Sequence, residues 1–312
     1  MLKPLNAARG AFSSAFSVGP GYERQPLNTG ASYDRVDRYF LDLRTKTTQN
    51  RDRVVTGRGQ VLTRNATTMA QTAFGWWERH LDGESRALGE FLAMADALID
   101  AAEHEGPRML WRYDVEVEKY ARRAPWYSSM AQGQAASVLV RAHLATRRDV
   151  YAEAALSALE VLGDLEDERG LVTRSADGPV FEECPSDPPS HILNGWVFTL
   201  WALWDVATAL NAHQWRVPFE RSSEALQAKL AAYDVGWWTR YSLFPRGDGD
   251  LAKPGYHVVH ADQMEVMYRL TGHVEFQQAS RRWHLYDSPF NRARAVAVKG
   301  RSVIRQRRRS SS

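Results

Sequence analysis

The chain has 312 residues, of which 44% are hydrophobic and 25% are charged, and its formal net charge is +3. This length and apolar content allow one large core, while the single cysteine, Cys184, excludes an intrachain disulfide and a cysteine-based zinc cluster. No apolar run is long enough for a membrane span and residues 1–21 lack the apolar segment of a secretion signal, so we expect a cytoplasmic or undetermined location.

Residues 1–60 have no sustained helical periodicity, and the sequence predicts an extended or loop segment there. Beyond it, the motif Met-Ala-Gln occurs at Met69 and again at Met130, and each copy is followed by an apolar helix, a short turn and an amphipathic helix. Two weaker copies follow. The four predicted helix pairs are 70–81 with 85–102, 131–145 with 149–162, 194–210 with 219–233, and 261–270 with 274–286.

Four helical hairpins at intervals of roughly 60 residues predict an all-α fold. We expect an incomplete (α/α) toroid over residues 61–288, with the first helix of each pair inside. Gly272 is placed to end the first helix of the last pair. The connections between pairs are long, at 103–129, 163–193 and 234–259. In an alternating array these connections emerge on one rim, where we expect functional residues.

The second connection contains a stiff stretch, Phe181–Gly195, with adjacent carboxylates, three prolines and a histidine ahead of an apolar helix. Proline restricts its own φ and the conformation of the residue before it. One interpretation is therefore an ordered loop that fixes functional side chains. A solvated acidic turn is the alternative.

The three connections are rich in aromatic, acidic and basic side chains. Such a set suits a polar ring substrate that carries negative charge. For Trp126 and Trp237, core packing and substrate contact are both open. His257, His260 and Asp262 lie close in sequence but do not make a complete ligand set, so we predict no metal site.

The end of the chain is strongly basic. Residues 292–312 contain eight Lys or Arg and no acidic residue, so the rest of the chain has a formal charge of −5. This composition predicts a disordered, solvated tail at 289–312. Attachment to nucleic acid or anionic lipid is the alternative for the tail, although we expect no nucleic-acid partner for the protein.

Several separated blocks, in the same order, resemble the C-terminal domain of D-glucuronyl C5-epimerases. These blocks are Ala124–Ala142, Phe181–Pro185, Pro189–Gly195, Tyr233–Gly236 and Tyr256–His260. The resemblance covers residues 110–286 well and 33–109 loosely, and it indicates a divergent, bacterial-type member. It implies a helical (α/α) domain that converts D-glucuronate to L-iduronate in a heparosan-like polysaccharide, with no cofactor.

That reaction removes the proton α to a carboxylate and returns a proton to the opposite face. By the resemblance, the catalytic glutamate of a Glu-Glu-Tyr-Pro motif falls on Glu183, and two family tyrosines fall on Tyr256 and Tyr241. We expect Glu183 and Tyr256 to be the opposed proton-transfer pair, with Tyr241 and His257 orienting or stabilising the enediolate. The expected substrate-binding residues are Trp126, Tyr127, Glu182, His191, Asn194, Arg240, Arg246 and His260.

Two positions depart from the family pattern. Cys184 occupies the position of the tyrosine in Glu-Glu-Tyr-Pro, and Phe244 occupies that of an arginine. A thiol is a weak hydrogen-bond donor and cannot reach as far as a phenol. The departures imply a different substrate or a lower activity, with Arg240 or Arg246 as the candidates for the missing charge.

Two other functions stay open. One is a lyase or glycoside hydrolase on the same toroid; a hydrolase needs a second carboxylate, for which Asp187 and Asp234 are the candidates. The other is a non-catalytic glycan-binding protein. In each case the expected partner is an anionic polysaccharide, and a homodimer is one option for the assembly.

Overall fold

The computed structural model describes residues 25–50, 65–246 and 249–309, with side chains up to residue 300. After a short helix α1 (Lys46–Gln49), all four predicted helix pairs are present. They are α2 (Ala66–Leu81) with α3 (Ala87–Ala101), α4 (Ser129–Thr146) with α5 (Asp149–Leu159), α6 (Leu193–Ala209) with α7 (Arg216–Tyr233), and α8 (Pro254–Thr271) with α9 (Val274–Tyr286). A last helix, α10 (Pro289–Arg309), follows. The prediction of an all-α protein is confirmed.

The first helices of the pairs pack side by side in chain order. Helix α2 contacts α4, α4 contacts α6, and α6 contacts α8, while each also packs on its own partner. Residues 129–142 of α4 and 193–203 of α6 are buried on every side, as expected for helices in the centre of a domain. The row of first helices is the arrangement that the predicted toroid requires, and the toroid itself remains a prediction.

Local sequence signals fix several helix ends. The side chain of Asn65 accepts a hydrogen bond from the backbone N–H of Thr68 at 2.8 Å, and that of Ser128 accepts one from Ala131 at 3.3 Å. These are N-caps of α2 and α4. Gly272 has a φ of +77° and ends α8, as the sequence predicts.

Helix α8 begins at Pro254, seven residues before the predicted start at 261. Proline suits the first turn of a helix because its missing N–H has no intrahelical partner there. The part of the third connection from Pro254 onward therefore lies on a helix. Tyr256 is in the first turn of α8, and His257 and His260 follow on the same helix.

Two β-hairpins that the sequence analysis did not predict lie in the long connections. Strand β1 (Glu103–Glu105) pairs with β2 (Arg108–Leu110), and β3 (Val172–Ser175) pairs with β4 (Gly178–Phe181), both antiparallel. Strands of three or four residues are too short to show a clear alternation of apolar and polar positions. The second hairpin ends directly before the adjacent carboxylates of the stiff stretch.

Residues 289–309 form the helix α10, where the sequence predicts a disordered tail. Alanine and arginine are good helix formers, and the buried Ala295 packs in a small apolar cluster with Trp238 and Leu251. Residues 310–312 lie outside the described residues.

The described part of the N-terminal segment, 25–50, is mostly loop, as predicted, but it packs into the same core as the helices. Tyr39 stacks on Phe74 of α2 with ring centroids 3.7 Å apart, and Phe40 meets Trp201 of α6 edge-on at 5.0 Å. Both rings are fully buried. None of the helices in the described part of the chain is long and apolar enough to cross a membrane.

Candidate active site

A buried carboxyl group, that of Glu183, lies two residues after β4. Its residue is only 3% exposed. One oxygen accepts a hydrogen bond from Asn194 Nδ2 at 3.2 Å, and the other accepts one from the hydroxyl of Tyr241 at 3.5 Å. Burial raises the pKa of Glu183 to about 8, although the charge of Lys119 and these hydrogen bonds act in the opposite direction. Glu183 therefore changes its protonation state near neutral pH.

Gly195, in the first turn of α6, makes room for this carboxyl group. A Cβ atom at position 195 would lie 2.3 Å from Glu183 Oε2 and 2.4 Å from Glu183 Cβ. No side chain can occupy that space without moving the glutamate or the helix. The end of the stiff stretch and the start of α6 are thus fitted to each other around Glu183.

Two tyrosines lie beside Glu183, and the structure brings both of these predicted residues together with it. The rings of Tyr241 and Tyr256 meet edge-on with centroids 4.9 Å apart. Tyr241 is held by its backbone, which donates to Asp250 O at 2.6 Å and accepts from Leu193 N at 3.0 Å. Burial raises the pKa of both tyrosines, and the charge of Glu183 raises them further. Both hydroxyls therefore remain protonated donors at neutral pH.

A lysine that the sequence analysis missed, Lys119, completes the cluster. Its Nζ lies 4.5 Å from the ring centroid of Tyr241 and 2.8 Å from Asp250 Oδ2. Burial lowers the pKa of Lys119 to about 8, although Asp250 raises it. Lys119 belongs to a 3₁₀ turn, Glu118–Tyr120, in the first connection. The sequence feature that could have identified Lys119 is its position on a predicted rim loop, directly before Tyr120.

Asp250 was also missed, and it anchors the lysine. It is buried, with a φ of +43°, and it accepts hydrogen bonds from Ser242 Oγ at 2.5 Å and from the Tyr120 hydroxyl at 3.2 Å. With Lys119 these contacts join the first and third connections. The rim loops therefore converge here, as the sequence predicted.

The neighbouring carboxylate, Glu182, holds the stiff stretch 181–195 in place through hydrogen bonds. It is fully buried and accepts hydrogen bonds from Thr173 Oγ1, Ser190 Oγ and the backbone N–H of His191, each at 2.9 Å. The ring Nδ1 of His191 lies 2.5 Å from the same carboxylate. Glu182 and His191, which we expected to bind substrate, are therefore hydrogen-bonded to each other. The stiff stretch is an ordered loop.

The two histidines of α8 do not join Glu183. His257 Nδ1 lies 2.9 Å from Thr239 Oγ1, and its Nε2 lies 2.9 Å from the carbonyl oxygen of Trp283. His260 Nδ1 lies 3.1 Å from the same Thr239 hydroxyl. Burial lowers the pKa of His257 to about 4 and that of His260 well below its usual value. Both rings are therefore neutral.

The other expected contact residues have partners within the protein. Trp126 is 1% exposed and stacks on Tyr113, which favours the core alternative. Tyr127 donates to Glu103 at 3.1 Å. Arg240 donates to Gly249 O at 2.8 Å, and Arg246 donates to Lys119 O at 3.4 Å. Asn194 is the member of this set that contacts Glu183.

The side chains at the two positions that depart from the family pattern, Cys184 and Phe244, pack against other residues of the protein. Cys184 is fully buried, and burial raises the pKa of its thiol. Phe244 packs edge-on against Tyr120 at 5.4 Å. The cation that lies over the Tyr241 ring is Lys119, whereas Arg240 and Arg246, the expected candidates, donate to backbone carbonyl groups. Within the described residues, no group of three His, Cys, Asp or Glu side chains could hold a metal ion.

The fold and the cluster define a helical protein with a buried acid, two tyrosines and a lysine where its connections meet. The family model of the D-glucuronyl C5-epimerase C-terminus matches residues 104–285, and the chain belongs to this family. A D-glucuronyl C5-epimerase from Caenorhabditis elegans is 27% identical over 212 residues, which cover 62% of this chain and 34% of the relative. The chain thus spans about a third of the length of that relative.

Proposed function

We propose that this chain catalyses C5 epimerisation of D-glucuronate to L-iduronate within a heparosan-like polysaccharide. The observation that carries the proposal is Glu183, a buried carboxyl group with a pKa of about 8 that contacts Tyr241. Groups with strongly shifted pKa values cluster at functional sites. Family membership supports the same reaction class.

In the proposed reaction, the Glu183 carboxylate takes the proton from C5. The electron pair of the C–H bond moves into the substrate carboxylate and forms an enediolate. The hydroxyl of Tyr256 then donates a proton to C5 from the opposite face, and solvent restores both groups. In the reverse direction the roles exchange: the Tyr256 phenolate that forward turnover leaves is the base, and protonated Glu183 is the acid, before solvent restores either group. A pKa of about 8 suits Glu183 to both roles near neutral pH.

The enediolate carries two negative charges and needs cations or donors aimed at it. We assign Lys119 and the Tyr241 hydroxyl to this task. Lys119 lies over the ring of Tyr241, and Asp250 holds its position. Asn194 keeps Glu183 in place, and His257 supports α8 behind Tyr256 through its bonds to Thr239 and Trp283. His257 is a positioning residue in this proposal.

Incubation of the protein with unsulfated heparosan in deuterated water tests the proposal. We expect deuterium at C5 and iduronate in the product, measured by mass spectrometry and proton NMR. Glu183→Gln and Tyr256→Phe should each lower exchange by about 100-fold or more. Tyr151→Phe is the matched control, because its hydroxyl bonds Asp96 on the second helix of the first pair.

The same incubation separates the alternatives. An unsaturated product that absorbs in the ultraviolet would indicate a lyase. Shorter saturated chains would indicate a hydrolase. Binding that survives both substitutions, with no exchange by the wild type on any glucuronate polymer, would contradict the proposed function and leave a glycan-binding protein.

A further inference from the structure

The C-terminal helix α10 has no role in the chemistry proposed above. It follows the residues that match the family, 104–285. The sequence from residue 292 onward carries eight cations and no acid. The like charges of such a helix repel one another, and this repulsion favours contact with a polyanion.

Helix α10 packs on the third connection, which also carries Tyr241. Ala295 is buried with Trp238 and Leu251 of that connection. The guanidinium carbon of Arg294 lies 3.8 Å from the ring centroid of Trp237, a cation–π contact. The helix is therefore fixed to a loop of the candidate site.

Lys299 of α10 reaches the cluster itself. Its Nζ donates to the carbonyl oxygen of Leu251 and lies 3.9 Å from Asp250 Oδ1. Asp250 is the carboxylate that binds Lys119. Burial is the largest cause of the lowered pKa of Lys119 and of Lys253, and the charge of Lys299 lowers both further. The positive field at the site thus includes a contribution from α10.

We propose that α10 is a docking surface for an acidic polysaccharide, which it guides into the site around Glu183. This inference rests on the proposed function. The helix has 21 residues and is about 32 Å long, so one polysaccharide chain that lies along it can contact both Arg294 and Lys299 on the way to the site. Continuity with Lys119 and the site tyrosines favours a sugar polymer over other polyanions. Contacts between exposed charges weaken with salt.

The test compares binding of heparosan to the full chain and to the double variant Arg294→Gln, Lys299→Gln. The matched control is Arg216→Gln, Arg221→Gln, which removes two charges from α7. Arg221 lies 12 residues before the end of α7 at Tyr233, about 18 Å along the helix from the third connection. Binding is measured by fluorescence titration at low and at high salt, after thermal melting has verified that each variant is folded.

We expect the double variant to bind heparosan about 5-fold more weakly at low salt. The difference should shrink at high salt, and the control should bind as the wild type does. Deuterium exchange into a short glucuronate oligosaccharide, which cannot span α10, should be unchanged in Arg294→Gln, because this variant keeps the contact of Lys299 with Asp250. If the double variant melts early, Arg294→Gln alone, at an exposed residue, should give about half of the effect on a logarithmic scale.

Equal binding of heparosan by the folded variants and the wild type would overturn the inference and leave the proposed function intact. Tighter binding of an oligonucleotide or of anionic lipid vesicles than of heparosan, lost in the double variant, would also overturn it. Absence of deuterium exchange by the wild type, with heparosan binding still dependent on Arg294 and Lys299, would contradict the proposed function and support the docking surface.

Discussion

Glu182 and Glu183 are neighbours with opposite surroundings. Successive side chains of an extended chain point to opposite sides, and these residues follow directly after β4. Glu182 turns toward the loop and receives hydrogen bonds from Thr173, Ser190 and His191. Glu183 turns toward Asn194 and Tyr241, which contribute longer contacts. Burial with only these longer contacts raises the pKa of Glu183.

The raised pKa of Glu183 predicts a stability that depends on pH. Because the folded protein binds this proton more tightly than the unfolded chain, the stabilisation is complete below the ordinary pKa of 4.5 and is lost as pH rises through about 8. Glu183→Gln removes this loss. We expect the variant to gain on the order of a few kcal/mol relative to wild type between pH 5 and pH 9. Urea unfolding at several pH values measures the difference, and parallel pH curves would contradict the assignment.

Lys119 predicts a change in the pH dependence of exchange. With both pKa values near 8, wild-type activity should rise with pH as Glu183 ionises and fall as Lys119 loses its charge. In Lys119→Gln the alkaline fall should disappear. The rising limb should move to higher pH, since the charge of Lys119 lowers the pKa of Glu183. Lys119→Arg is the control, because it keeps a cation that does not titrate in this range; an unchanged profile in Lys119→Gln would refute the role.

At the scale of elements, the contact between the stiff loop and α6 depends on one glycine. Gly195→Ala would place a Cβ within 2.4 Å of two Glu183 atoms. We expect a loss of about 3 kcal/mol in the free energy of unfolding, together with loss of exchange. Gly89→Ala on α3 is the control, because its Cβ would meet nothing within 4 Å. That change should stabilise the protein by about 0.5–1 kcal/mol, as measured by urea unfolding.

The helix pairs could be predicted because a helical pattern of apolar residues extends over many residues in each helix, whereas the connections show no such pattern. The predicted 274–286 coincides with α9. The start of α8 was placed late because Tyr256 and His257 were assigned to a polar loop, although Pro254 suits the first turn of a helix. The tail was assigned by charge alone, and the contact of Ala295 with Trp238 is not visible in composition.

At the scale of the whole molecule, a buried ion pair joins three parts of the fold. Arg141 of α4 and Asp205 of α6 are fully buried with Nη1 and Oδ2 2.6 Å apart. Arg141 also donates to Asp37 O in the N-terminal segment at 3.2 Å and lies 5.3 Å from the Tyr39 ring. The segment, α4 and α6 are therefore held at one point.

Breaking this pair should be more harmful than removing it. Asp205→Ala leaves an uncompensated buried guanidinium, and we expect a loss of about 3–5 kcal/mol in the free energy of unfolding. Replacing both residues, as Arg141→Met with Asp205→Leu, should recover much of that loss. Urea titrations of the two variants and the wild type measure it. Equal losses in both variants would mean that shape at this point, rather than charge, holds the segment.

The candidate site could be predicted only in part, because it is assembled from distant connections. Family blocks selected Glu183, Tyr241 and Tyr256, which the structure brings together. Lys119 and Asp250 are 131 residues apart in sequence and meet at 2.8 Å. No spacing rule predicts such a contact, since it depends on how the rim loops close over the helices.

His257 and His260 both form a hydrogen bond with the hydroxyl of Thr239, and this requires them to be different tautomers. The Trp283 carbonyl can only accept, so His257 must carry its proton on Nε2. The bare Nδ1 of His257 then accepts the single Thr239 proton, and His260 must donate to Thr239 from a protonated Nδ1. His257 cannot gain a second proton without breaking this chain of bonds, and burial opposes protonation of His260 at Nε2. These two imidazoles of α8 therefore stay neutral near pH 7, where Glu183 and Lys119, with pKa values of about 8, change protonation state.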